Sequence, residues 1–269
     1  MTSHASPITG LTASGVPYLA SPAVSADAPV VVIWHLLDPP RTEVAMASAI
    51  PLAGLDATRI YLGLPMSGSR TPEGGVDAIM ALLGTDAPVL VHGPIWSQAV
   101  DEFPAAFAEL REELGVKPDA AVGLVGGSMG SAVAAGVLAA GTSGARAAVL
   151  LSPMMQLRSM IDAVAPMFGG YTWSPEADAT AARMDFIARA DEVTAAGAPI
   201  RLIAGADDDE DAFLVSAREF ARITGSDLHE QAGVGHALAD EPGVEAAPQT
   251  DGAARADALT VEWLRANLT

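Results

Sequence analysis

The sequence predicts an α/β fold, a mainly parallel sheet with helices on both faces. Three observations predict it. Short apolar runs rich in β-branched residues, such as Pro29-Val-Val-Val-Ile-Trp34, read as strands buried on both faces. Stretches with helical spacing alternate with them at intervals of roughly thirty residues, the length of a strand–helix–strand unit. The chain has 269 residues, 50% of them hydrophobic, enough for one large α/β domain or two small ones.

The elements follow in order. Up to about residue 28 the chain mixes Pro, Gly and Ser with short apolar pieces, which suits an edge hairpin or an extended lead-in. The run 29–34 is the first buried strand, and Pro39-Pro40 stops its ladder. Residues 41–50 can form a helix, 58–63 a second strand, and 75–83 a weak helix. The apolar run 88–92 is too short for its pattern to separate strand from helix. Residues 98–114 have helical spacing, with Phe103, Phe107, Leu110 and Leu114 on one face. Pro104 predicts that this helix becomes regular only near Phe103. Residues 120–125 are a strand, 128–140 a helix packed by small side chains, and 145–151 another strand. Residues 153–197 are less regular, with two or three short helices including 177–196. A strand at 199–204, a helix at 210–223, a short strand at 228–231 and an amphipathic helix at 256–267 complete the chain. In parallel sheets, sites form beyond the carboxyl ends of the strands.

Composition excludes several function classes. Acidic residues outnumber basic ones 33 to 14, for a net charge of −19. Such a field repels phosphate backbones and anionic lipid headgroups, so neither nucleic acid nor a membrane is an expected partner. There is no cysteine, which excludes disulfides, thiolate nucleophiles and Cys-ligated zinc. The start, MTSHASPITG, lacks the charged and apolar regions of a signal peptide. The apolar run near 132–140 is too short to cross a bilayer. These features predict a soluble, cytoplasmic protein. A homo-oligomer is compatible with all of them.

The most informative stretch is VGLVGGSMGSAVAAG, residues 122–136. Gly126-Gly-Ser-Met-Gly130 matches G-x-S-x-G between a strand and a helix. At such a turn the apical serine is held strained and exposed. Small residues two before and two after it let strand and helix approach. The Met129 N–H then opens the helix, whose positive dipole end faces whatever the serine attacks. A dinucleotide loop needs another glycine spacing, and a P-loop needs a lysine that is absent.

A serine needs a base. Of the five histidines, His4 lies near the terminus, His35 ends a strand, His92 sits in Val91-His-Gly-Pro94, and His229 lies within the last strand. Only His236, in Ala232-Gly-Val-Gly-His-Ala-Leu238, combines a glycine-rich loop with a place after a late strand. The base needs a carboxylate to fix its tautomer. Gly205-Ala-Asp-Asp-Asp-Glu-Asp211 supplies five acids after a strand; Asp208 is the first choice, with Asp207 and Asp209 as alternatives.

With Ser128, Asp208 and His236 in that chain order, the sequence resembles the α/β-hydrolase fold superfamily, in its serine esterase and hydrolase branches, from about residue 29 onward. The elbow at 126–130, the acid turn at 205–208 and Gly235-His236 carry the resemblance. Leu64-Pro-Met-Ser-Gly-Ser-Arg70 also looks like the family's loop after the fourth strand. The resemblance implies an eight-stranded, mostly parallel sheet in one domain over 1–269. It also implies a small helical cap or lid inserted at about 153–197. By position it implies an oxyanion hole made by the N–H groups of Leu37 and Met129, with Leu36 as the rival to Leu37. The expected glycine is replaced here, and Val91-His-Gly-Pro94 lies too late to supply the motif.

The implied activity is cleavage of small to medium apolar acyl esters through an acyl-enzyme, without metal or organic cofactor. Leu36, Leu37, Met154, Met155, Leu157 and Trp173 are the expected substrate-binding residues. The same triad supports acyl transfer and peptide or amide cleavage, and the fold also serves non-catalytic small-molecule binding.

Overall fold

The structure is a computed structural model and describes residues 6–268; His4 lies outside the described residues. Eight strands form one sheet in the order β1-β2-β4-β3-β5-β6-β7-β8. They are β1 (Ile8–Leu11), β2 (Pro17–Ser21), β3 (Val30–Trp34), β4 (Thr58–Leu62), β5 (Val122–Gly127), β6 (Ala145–Leu151), β7 (Ile200–Gly205) and β8 (Asp227–Gln231). The lead-in is the edge hairpin β1–β2, which joins the sheet antiparallel to β4; all strands from β3 onward pair in parallel.

The helices are α1 (Glu43–Ala49), α2 (Gly75–Ala87), α3 (Gly93–Glu113), α4 (Met129–Ala140), α5 (Leu157–Val164), α6 (Pro175–Arg183), α7 (Ala190–Thr194), α8 (Val215–Thr224) and α9 (Asp251–Leu268). Strand residues alternate between two cores, as the two-residue pleat requires. Val30, Val32 and Trp34 of β3 face a core shared with Phe103 and Phe107 of α3, Val133 of α4 and Phe220 of α8. Val31 and Ile33 face a second core with Met46 of α1 and Val261 and Leu264 of α9. Helices therefore cover both faces of the sheet.

The sequence misjudges a few boundaries, each for a physical reason. Helix α3 begins at Gly93 and runs through Pro104. Burial of Ile95, Trp96, Ala99 and Phe103 on its inner face outweighs the one backbone bond that proline removes. Pro88–His92 is helical, with a wider turn, and links α2 to α3; the chain bends at Asp86, whose backbone is not helical. This makes Gly75–Glu113 the one described helical stretch long and apolar enough to cross a membrane, with a mean hydropathy of 1.4 in its most apolar window. Its α3 half is packed into the core. The expected helix 177–196 is broken between α6 and α7, where Phe186 turns inward and is fully buried.

β3 and β5 are neighbours, and the chain leaves β3 toward β4 on one side but leaves β5 toward β6 on the other. That is the topological switch point of the sheet, where a crevice opens. Trp34 pairs with Gly126 in register, so the chain following β3 and the turn following β5 emerge side by side.

Candidate active site

Ser128 sits at that turn with φ 47° and ψ −113°, a conformation that side-chain-bearing residues seldom adopt. Close approach enforces it. A Cβ on Gly126 would lie 2.0 Å from the Gly130 carbonyl oxygen, and one on Gly130 would lie 2.5 Å from that of His35. The Ser128 N–H donates to Leu151 O at 2.9 Å. Ser131 Oγ–H donates to Ser128 O at 2.6 Å and accepts the Met154 N–H at 2.9 Å. The elbow is thus clamped to β3 and to the end of β6.

The acid turn and the histidine loop lock together in a similar way. A Cβ on Gly205 would lie 2.2 Å from Val234 O, and the Asp207 N–H donates to that oxygen at 2.9 Å. This brings three predicted side chains together. Ser128 Oγ–H donates to His236 Nε2 at 2.8 Å, and His236 Nδ1–H donates to Asp208 Oδ2 at 2.7 Å. A carboxylate can only accept, which fixes this tautomer and leaves Nε2 free to take the serine proton. The Asp208 side chain is 2% exposed and that of His236 15%, so the pair is shielded from bulk water. Of the alternative acids, Asp209 caps the following helical turn by accepting the Ala212 N–H, and Asp207 is exposed.

Leu36 and Leu37 separate cleanly. The Leu36 N–H is engaged by Pro40 O at 3.1 Å, while the Leu37 N–H has no backbone acceptor among the described residues. Met129, at the start of α4, likewise carries an N–H with no backbone acceptor outside its helix among the described residues. The peptide between Leu36 and Leu37 is held by His35. Its Nδ1–H donates to Leu36 O at 2.6 Å, and its Nε2 accepts the Leu64 N–H at 2.9 Å. Because C=O and N–H of one peptide point oppositely, pinning the Leu36 carbonyl aims the Leu37 N–H. Full burial lowers the His35 pKa to about 4, which keeps the ring neutral as both bonds require. His92, in the other His-Gly pair, is buried in the helical link, where Nδ1 bonds Ala87 O at 3.0 Å; it supplies no oxyanion loop.

Four expected substrate-binding residues are corrected. Leu36, Met154, Met155 and Leu157 are fully buried core side chains. Leu36 fills the space beside Gly127, and the other three join the core around α3 and α4. Each sits next to the site in sequence, but packing consumes its surface. Leu37 and Trp173 stay half-buried. Trp173 meets Tyr171 edge to face and donates through Nε1–H to Asp162 Oδ1 at 2.8 Å.

Three residues escaped sequence reasoning. Phe213 stacks on the His236 ring, with centroids 4.0 Å apart and planes inclined by 26°. Ser152 takes φ 40° and donates through Oγ–H to His236 O at 2.7 Å, tying β6 to the histidine loop. Asp38 directs Oδ2 to 3.8 Å from His236 Nε2. Only Asp38 had a usable signal, because it follows the predicted oxyanion donor directly. Among the described residues no group of three or more His, Asp or Glu side chains is arranged to hold a metal.

No protein-family model and no curated protein matches the sequence. Solved structures do match. The Thermus thermophilus protein TT1662 is 15% identical with a TM-score of 0.64, over 97% of this chain and 99% of that one. A cold-adapted esterase from an Arctic intertidal metagenomic library is 19% identical with a TM-score of 0.59, over 98% and 93%. The acylaminoacyl peptidase of Pyrococcus horikoshii is 13% identical with a TM-score of 0.63, over 99% of this chain but 42% of that one. Likeness at these identities establishes architecture: the chain has the α/β-hydrolase fold.

Proposed function

We propose that this protein is a serine hydrolase that cleaves carboxylic esters of small to medium apolar acyl groups. The observation that carries the reading is the unbroken row Ser128 Oγ, His236 and Asp208, at 2.8 and 2.7 Å. Ser128 Oγ attacks the ester carbonyl while His236 Nε2 takes its proton. The N–H groups of Leu37 and Met129 stabilise the oxyanion, the interaction that dominates such chemistry. Collapse expels the alcohol, which leaves with the proton from Nε2. Water, deprotonated by the same nitrogen, then attacks the acyl-serine and releases the acid and free Ser128.

We also propose a single domain in which residues 153–197 form a small cap. Further parts of the reading are a cytoplasmic setting and small-molecule rather than nucleic-acid or membrane partners, consistent with the charge of −19. Amide cleavage is the second reading, favoured by the likeness to acylaminoacyl peptidase; this chain spans only about two fifths of that protein.

The test is hydrolysis of p-nitrophenyl esters from acetyl to long chain, with aminoacyl amides alongside, by wild type and Ser128→Ala. A fluorophosphonate probe is run in parallel. The expected result is short-chain ester turnover that falls by on the order of 10³ or more in the variant. Labelling should disappear in both Ser128→Ala and His236→Ala. Equal rates in wild type and variant sink the assignment. Absence of labelling on any serine favours a non-catalytic binding protein of the same fold.

A further inference from the structure

We propose that the Asp38 carboxylate selects substrates whose leaving group carries an ammonium, such as amino-alcohol esters of the choline type. The proposal rests on the serine hydrolase reading and narrows it. Asp38 Oδ2 lies 3.8 Å from His236 Nε2, the nitrogen bonded to Ser128 Oγ. That nitrogen hands its proton to the departing alcohol, so a group facing it borders the leaving-group side. The distance exceeds hydrogen-bond reach, and among the described residues Asp38 accepts no hydrogen bond. Its side chain is 55% exposed.

The neighbouring Arg41 guanidinium is occupied elsewhere. Arg41 pairs with Glu241 through both terminal nitrogens and donates to Leu37 O and Pro242 O. It senses Asp38 only through space. The carboxylate is nevertheless held in place. Two prolines follow it, Leu36 N–H bonds Pro40 O, and Arg41 anchors Leu37. A carboxylate here that accepts no hydrogen bond repels anionic substrates. A substrate ammonium offsets that charge where the two meet at short range.

The experiment compares kcat/KM for a choline ester with that for its uncharged isostere, the 3,3-dimethylbutyl ester of the same acid. Both are run on one enzyme sample, so any loss of folded protein cancels in the ratio. Wild type should favour the cationic ester by about tenfold or more. The ratio should fall to about 1 in Asp38→Asn and recover in Asp38→Glu; a merely structural role would lower both rates together. A wild-type ratio near 1, or one that survives Asp38→Asn, overturns the proposal while Ser128-dependent turnover of the neutral ester leaves the hydrolase reading standing. A second pair, an aminoacyl p-nitrophenyl ester and its N-acetyl form, puts the charge on the acyl side. A preference confined to that pair overturns the leaving-group placement. No turnover of any ester, with no fluorophosphonate label, overturns both readings.

Discussion

Two strands flank β3, and the chain leaves them in contrasting ways. After β5 it turns at Ser128 into α4, where every residue from Met129 to Leu138 is buried. After β4 it passes through a loop, pinned by the ion pair of Arg70 with Glu102 at 2.6 Å, into α2, where no residue is fully buried. Both connections end in apolar helices. The first is fixed by contact between backbones, because glycines at 126 and 130 bring strand, helix and the end of β3 within touching distance. The second is held by partly buried side chains such as Leu82 and Leu83. The sheet thus offers one rigid connection, suited to holding a reactive geometry, beside one that is free to vary.

The contrast breaks most violently at Gly126. Its Cβ position lies 2.0 Å from Gly130 O and 2.7 Å from Ser131 N, all backbone. No side chain can swing aside, so Gly126→Ala must displace α4 or the strand. The expected loss is about 4 kcal/mol or more, at the exceptional end for one methyl group. Chemical denaturation checks it, and any variant that still folds should lose fluorophosphonate reactivity at Ser128. An unchanged denaturation midpoint would mean that the elbow is not clamped as described.

His35 tests the same rigid side through pH. Burial lowers its pKa from 6.5 to about 4 in the folded chain. The unfolded chain therefore binds the extra proton first. The stabilisation is complete above about pH 6.5 and is lost as pH falls toward 4. The shift corresponds to on the order of 3 kcal/mol. In His35→Gln the drop in unfolding free energy between pH 6.5 and 4 should be shallower than in wild type by about that amount. Parallel curves for the two proteins would show that the ring is solvated, and with it the support for the Leu37 amide. His92, also lowered by burial, and the carboxylates contribute equally to both curves.

The same contrast explains what could be read from the sequence. The elbow was legible because backbone contact admits only glycine, which leaves a spacing mark. The meeting of Ser128, Asp208 and His236 was legible because each follows a strand in a parallel sheet, and the strand patterns were plain. Helix α3 was misread at Pro104, since tertiary burial overrode a local breaker. The lining was misread because burial is a sum over distant neighbours: nothing local marks Met154 and Met155 as core and Trp173 as partly open. Phe213 and Ser152 left no mark because their roles rest on crossing distances of 23 and 84 positions to His236.

The mildest expected effect lies on α2. Val76 is 70% exposed and Met80 52%. Both stand on a helix whose only acids are Asp77 and Asp86. If this face meets water, Val76→Ser removes little buried surface, and the stability change should stay within about 0.5 kcal/mol. In a chain of this size that is a Tm shift of under about 2 °C. A larger loss, or a wild-type Tm that rises with protein concentration and stops rising in the variant, would reveal that a second copy covers the helix. Sedimentation of the same two proteins distinguishes the cases directly. A monomer with a silent Val76→Ser leaves the two connections as different as they look, whereas a dimer dispersed by it would make α2 as structurally committed as α4, through a neighbour rather than through its own sheet.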